Sequence, residues 1–307
     1  MLNRRNFLKG AGAAAVGSLV LPKLVSAFPA AKGHPIGVQL FTFFNTMDAD
    51  VPGTLKKIAA IGYTEVESAY SKKGPFYGET PKGFAKLCKS EGVTWKSQHV
   101  LGAPFKLPKG AKMPVGKDGK SMALPAHMLN LKEDMKNIVD SAAEGGVEYL
   151  VCANIPTGSL DELKESIEIL NKTGELAKKA GVQFCYHNHD MEFEKMGDIT
   201  PYQMMLKECH ADLVKFELDL AWATKAKVNV PELFAKNPGR FPLLHVKDIS
   251  ADFKTLEPVG SGVVPFKEIF AHASTAGVKH YFVEHDMPPD AFASITQSYK
   301  NLRAMGL

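Results

Sequence analysis

Three short stretches decide the fold: Ile61-Gly62-Tyr63, Ala180-Gly181-Val182 and Ala276-Gly277-Val278. Each closes an amphipathic run and opens an apolar, β-rich one. A glycine just past a helix takes the left-handed cap, and the β-branched or aromatic residue after it starts a strand. Outward from these junctions the same alternation runs through the chain. Strands read at 36–41, 63–67, 93–100, 147–153, 182–187, 214–220, 242–247 and 278–284. Helices read at about 51–61, 81–91, 129–144, 160–180, 201–208, 231–236, 266–276 and 292–305. Eight strand–helix units across roughly 270 residues predict a single-domain (β/α)8 TIM barrel. Its strands should be parallel, because each crossover carries a helix. The alternative is a doubly wound open sheet. No GxGxxG follows the first strand, which disfavours a dinucleotide-binding version. One segment, 101–127, breaks the rhythm with Gly, Pro and Lys. It leaves the C-terminal end of the third strand and reads either as a functional loop or as a peripheral insertion.

Composition agrees with a globular body. The 307 residues are 45% hydrophobic, 23% charged and 9% aromatic. Disordered, collagen-like and coiled-coil chains are thereby excluded. The net charge of +4 is concentrated at the N-terminus: residues 1–27 hold four of the 37 basic residues and none of the 33 acidic ones, leaving 33 of each. A neutral body lacks the electrostatic footprint of a nucleic-acid binder. The N-terminus itself reads as an export signal. Arg4-Arg5 precedes Phe7-Leu8-Lys9, an apolar stretch runs from 10 to 21, and Val25-Ser26-Ala27 offers small residues for cleavage. This resembles a twin-arginine signal. The apolar stretch is too short to span a ~30 Å hydrocarbon core, so no stable membrane insertion is expected. The division is therefore 1–27 as export peptide and 28–307 as barrel, in a periplasmic or otherwise exported protein. Cys88, Cys152, Cys185 and Cys209 form no CxxC pair and read as buried thiols. Folding before export accounts for free thiols in an oxidising compartment.

Polar residues collect at the strand ends. Strand two ends in Glu67 and strand three near Gln98-His99. Strand five ends in His187-Asn188-His189-Asp190, and strand six in Asp219. Strand seven ends in His245-Val246-Lys247-Asp248 and strand eight in Glu284-His285-Asp286. In a barrel these converge on one mouth. Carboxylates and imidazoles together there point to one divalent ion, Mn, Mg, Co or Zn. Asp219, His245 and Glu284 are the strongest ligand candidates. Asp248 and Asp286 lie further out and read equally as caps. His34, His127, His210, His272 and His280 fall outside the strand ends and are not expected to be ligands.

Asp219, His245 within Leu-His-Val-Lys-Asp and Glu284 within Tyr-Phe-Val-Glu resemble, in that order, the sugar phosphate isomerase/epimerase group of the xylose isomerase-like TIM barrels. The likeness runs from Gly37-Val38-Gln39-Leu40 to the final helix. It is densest at 186–193, 217–219, 243–248 and 259–262. The resemblance implies a metal set of Asp219, His245 and Glu284, with His187, or His189 two residues on, standing where relatives carry a strand-five Glu. It implies proton abstraction beside a carbonyl through an enediolate. His187 departs from the paired carboxylates of the epimerases, so a symmetric two-carboxylate mechanism is not carried over. The expected catalytic set is His187, His189, Glu284, Lys247 and Glu67. His99, Lys247 and His189 are expected to hold the substrate. The expected activity is a sugar isomerase or epimerase. The alternatives are a lyase or hydratase of 3-keto-glycosides at the same metal, and a non-catalytic sugar-binding protein. Apurinic endonucleases share the superfamily, and the neutral body argues against them. The partner is a small-molecule sugar; homo-oligomerisation stays open.

Overall fold

The computed structural model describes residues 33–105 and 128–307. The expected export peptide, most of the 101–127 segment and His127 lie outside the described residues. Eight parallel strands close into a barrel: β1 (Gly37–Gln39), β2 (Glu65–Ser68), β3 (Thr94–Leu101), β4 (Tyr149–Asn154), β5 (Gln183–His187), β6 (Val214–Asp219), β7 (Leu243–Val246) and β8 (His280–Val283). Neighbours in sequence are neighbours in the sheet. The first strand pairs with the last, Gly37 with Phe282 and Val38 with Val283. That pairing rules out the open sheet.

The outer layer contains α1 (Val51–Ile61), α2 (Pro81–Ser90), α3 (Leu131–Gly145), α4 (Leu160–Lys179), α5 (Pro201–Glu208), α6 (Leu220–Lys225), α7 (Val230–Lys236), α8 (Phe266–Ala271), α9 (Ala273–Ala276) and α10 (Ala291–Ala304). Local chemistry starts them where they start. Asp50, Thr80, Asn130, Ser159, Asn229 and Asp290 each accept a backbone N–H of the first turn. Thr200 and Gln203 form a reciprocal capping box on α5. All three junction glycines take positive φ, 122° at Gly62, 79° at Gly181 and 83° at Gly277, and Gly277 is the left-handed cap expected. Gly277 ends α9, and a Cβ there would meet the Gly239 Cα at 2.9 Å.

Four details depart from the sequence reading. The first strand stops at Gln39, whose side chain accepts from the Phe41 N–H at 3.1 Å and turns the chain into a 3-10 segment, Leu40–Phe43. Strand six leads directly into the short α6. A two-residue ribbon, Asp248–Ile249 against Leu256–Glu257, follows β7. The 266–276 helix breaks at His272.

Inside the barrel, Val151, Cys185, Leu243 and Phe282 form a buried apolar plug. Gly37 makes room for it, since a Cβ there would sit 2.4 Å from the Phe282 ring. The helices pack on the outward residues, such as Phe184, Phe216, Leu218, Leu244 and Val246, all fully buried. Each such side chain contributes about 1.5–3 kcal/mol. All four cysteines are buried and unpaired. The plug leaves the C-terminal end of the barrel as the place where inward polar side chains meet.

Candidate active site and metal centre

Successive residues of a strand point to opposite faces, so i and i+2 share one. Four strands use this at the mouth. His187 and His189 leave β5, Glu217 and Asp219 sit on β6, His245 and Lys247 leave β7, and Glu284 and Asp286 follow β8. On β5 and β6 the first of each pair is deeper and the second shallower, and His245 is level with Asp219. Glu67 on β2 and His99 on β3 complete the set.

In the deeper layer, Glu67 is fully buried. It accepts from Gln39 Nε2 at 2.7 Å and from the Ser97 hydroxyl, and lies 2.7 Å from His245 Nε2 and 3.1 Å from His99 Nε2. Its oxygens are committed to protein groups, and it does not line the cavity. Glu67, expected among the catalytic residues, is placed against His245 and His99. Across the barrel, Glu217 Oε2 stands 2.7 Å from His99 Nε2 and 3.3 Å from His187 Nδ1. Burial, reinforced by Glu67, pushes the Glu217 carboxyl up to about 7. Burial would lower His99, but Glu67 and Glu217 overcome it and push the imidazole up to about 9. His187 goes the other way: burial, then the charges of His245 and His99, hold it well below the usual imidazole range.

The shallower layer is built on Asp219, His245 and Glu284. Asp219 Oδ1 caps α6 by accepting from the Trp222 N–H at 2.9 Å. Its Oδ2 is buried and has no hydrogen-bond partner. His245 Nδ1 lies 3.0 Å from Glu284 Oε2 and 3.9 Å from Asp219 Oδ2, again without a hydrogen bond. One atom from each of the three residues falls within 4.8 Å of the others. Lys247 Nζ closes the group, 2.6 Å from Glu284 Oε2, 3.3 Å from Asp219 Oδ2 and 3.0 Å from Asp286 Oδ1. Burial would raise the Glu284 carboxyl, yet Lys247 and His245 hold it below the usual carboxylate range.

These orphaned atoms test whether a metal fits. Glu67 accepts only, so in the neutral ring the His245 Nε2 proton points to it and leaves the Nδ1 lone pair to face Asp219 and Glu284. A carboxylate behind a ligating imidazole is the usual device for fixing that tautomer. Two carboxylates and an imidazole with ligand atoms within 4.8 Å of one another fit a divalent ion. His187, expected as a further ligand of this set, has its ring centroid 4.4 Å from that of His245 and groups with His99 and Glu217, its Nδ1 3.3 Å from Glu217 Oε2.

A cavity of about 500 Å³ opens above. His99, His187, His189, Lys247, Glu284 and Asp286 line its polar end, and Phe41, Phe44, Tyr70 and Phe76 its apolar wall. The expected substrate contacts His99, His189 and Lys247 are thus all at the cavity. Asp248 is a buried staple, accepting the backbone N–H groups of Ile249, Gly260, Gly262 and Val264 at 2.8–3.1 Å. The Gly260-Ser261-Gly262 turn wraps this carboxylate. Two site residues escaped the sequence reading. Glu217 was hidden one pleat behind Asp219, and Asp286, read equally as a cap, pairs with Lys247.

Comparison with known proteins agrees with this architecture. The profile of the xylose isomerase-like TIM barrel family matches residues 55–305. The chain belongs to that family. A twin-arginine translocation signal profile matches residues 1–20. Among solved structures, a sugar phosphate isomerase/epimerase from Parabacteroides distasonis is 27% identical with a TM-score of 0.70, covering 94% of this chain and all of its own. An L-ribulose 3-epimerase shares the fold at 14% identity and TM-score 0.64, covering 89% of this chain and 94% of that one. So does a xylose isomerase-like TIM barrel protein from Mycobacterium smegmatis in complex with magnesium, at 15% identity and TM-score 0.64, covering 89% and 95%. A search of curated proteins finds no match.

Proposed function

We propose that this chain is a divalent-metal-dependent isomerase or epimerase of a sugar or oxidised sugar, working after export. The observation that carries the proposal is the convergence of three buried ligand residues, Asp219, His245 and Glu284, with Asp219 Oδ2 and His245 Nδ1 left without a hydrogen-bond partner. The solved relative at 27% identity is a sugar phosphate isomerase/epimerase, which favours the same reaction class. Bound by those atoms, a divalent ion supplies the Lewis acidity that makes a C–H beside a carbonyl removable. The chain supplies the rest. The His189 ring stands in the cavity against Trp222 and His187, placed to take a proton and return it. Lys247 brings a positive charge to the same floor, where it stabilises negative charge developing on a sugar oxygen. The aromatic wall excludes water from the reacting face. Imidazoles at 187 and 189 in place of a second carboxylate also favour, as a second reading, a lyase acting on a 3-keto-glycoside through the same proton abstraction.

The test is proton exchange. Metal-loaded protein is incubated in D2O with a panel of free sugars and 3-keto-glycosides, and deuterium at carbon is read by NMR. Metal-dependent incorporation, lost with EDTA and restored by Mn2+, is expected. A sugar that binds without exchange or turnover would convert the assignment to a non-catalytic binding protein.

A further inference from the structure

We infer that a second cation site lies beneath the first, formed by His99, His187 and Glu217. The inference rests on the reading above, in which Asp219, His245 and Glu284 take a divalent ion. One nitrogen each from His99, His187 and His245 and one oxygen of Glu217 lie within 4.8 Å of one another. His245 is shared: its Nδ1 faces the upper set, 3.0 Å from Glu284 Oε2, while its Nε2 lies 2.7 Å from Glu67 Oε1 and 3.1 Å from Glu217 Oε2. The remaining two imidazoles and one carboxylate make a three-ligand cradle of the kind that Zn2+ or Co2+ accepts with an open fourth position.

Two further observations point the same way. Glu67 and Glu217 are both fully buried, and among the described residues neither has a Lys or Arg within ion-pair distance. Buried carboxylates need compensating charge. His187 Nδ1 and Glu217 Oε1 are also buried and without a hydrogen-bond partner. A dication held by His99, His187 and Glu217 balances the two carboxylates. Access exists as well, because the His99 and His187 rings form part of the cavity floor.

Metal stoichiometry tests this without reference to turnover. Chelator-stripped protein is saturated with Zn2+, desalted and analysed by mass spectrometry of the metal. Two ions per chain are expected. His99→Asn and Glu217→Gln should each retain one ion, and their second Zn2+ should bind at least 100-fold more weakly. The retained ion reports that each variant is folded. Asp219→Asn should lose the other ion and keep the deep one. A wild-type count of one that Glu217→Gln leaves untouched overturns the second site while preserving the first. A single ion lost in Glu217→Gln but kept in Asp219→Asn supports the deep site and overturns the upper one. No bound ion overturns both.

Discussion

Asp248 is fully buried, and its two oxygens accept four backbone N–H groups. Gly262 lies so close that a Cβ on it would meet the Ile249 carbonyl at 2.2 Å. Removing the carboxylate strands several buried donors, each costing about 1–3 kcal/mol. Asp248→Ala should therefore destabilise by about 3–5 kcal/mol, read as a fall in the denaturation midpoint. A change below about 1 kcal/mol would show that water replaces the carboxylate. Glu67 makes a different prediction. Glu67→Gln keeps its shape but removes the anion behind His245 and His99. Metal affinity should drop about 10–100-fold, measured by competition with a chromophoric chelator, with little change in the fold. Unchanged affinity would end its role in positioning the ligands. Asp219, His245 and Glu284 were legible because each ends an apolar run with a polar residue. Glu217 was not, because it lies inside the run Val214–Asp219, where a charged residue reads as a solvent-facing alternation. Only the knowledge that Asp219 faces inward turns Glu217 inward with it. The commitment of Glu67 to Gln39, Ser97 and two imidazoles was invisible for another reason: its partners come from three other strands.

Elements follow local signals where such signals exist. The Thr200 capping box and the cap at Asn229 place α5 and α7 close to their expected bounds. The break at His272 carries no Gly or Pro, so nothing local announces it. The 3-10 turn after β1 depends on a side chain, Gln39, that divides its amide between Phe41 and Glu67. Strand six and α5 are joined by a further device. Arg240 is buried and donates from Nη1 to the Leu206 carbonyl at 2.9 Å and from Nη2 to those of Val214 at 3.3 Å and Cys209 at 3.5 Å. It thus ties the end of α5 to the start of the strand that bears Glu217 and Asp219. Arg240→Met fills the same space without donors and should cost about 2–4 kcal/mol in urea unfolding. A loss confined to a few tenths of a kcal/mol would reduce Arg240 to a packing residue.

At the scale of the whole molecule, two properties are open to direct measurement. Burial pushes the Cys209 thiol up to about 12 and raises the other three as well. The thiolate is the reactive form. Native protein at pH 8 should therefore be nearly inert to a thiol-specific chromogenic reagent, and four groups should react after unfolding in guanidinium. Rapid labelling of the native state would contradict the burial. The N-terminal signal predicts that Arg4→Lys with Arg5→Lys retains the protein in the cytoplasm, followed by fractionation; undiminished export of that variant would remove the twin-arginine reading. The barrel closes by laying Gly37 and Val38 against Phe282 and Val283. The two strands of that seam are made at opposite ends of translation. Until the ribosome has passed position 283, β1 and β7 both present unpaired edges. Until then Glu284 has not joined Asp219 and His245, and the barrel has no finished interior. A leader that is read early thus belongs to a cargo that becomes a barrel only at the last moment of synthesis. A transport route that accepts its passengers already folded can act only after that seam has closed.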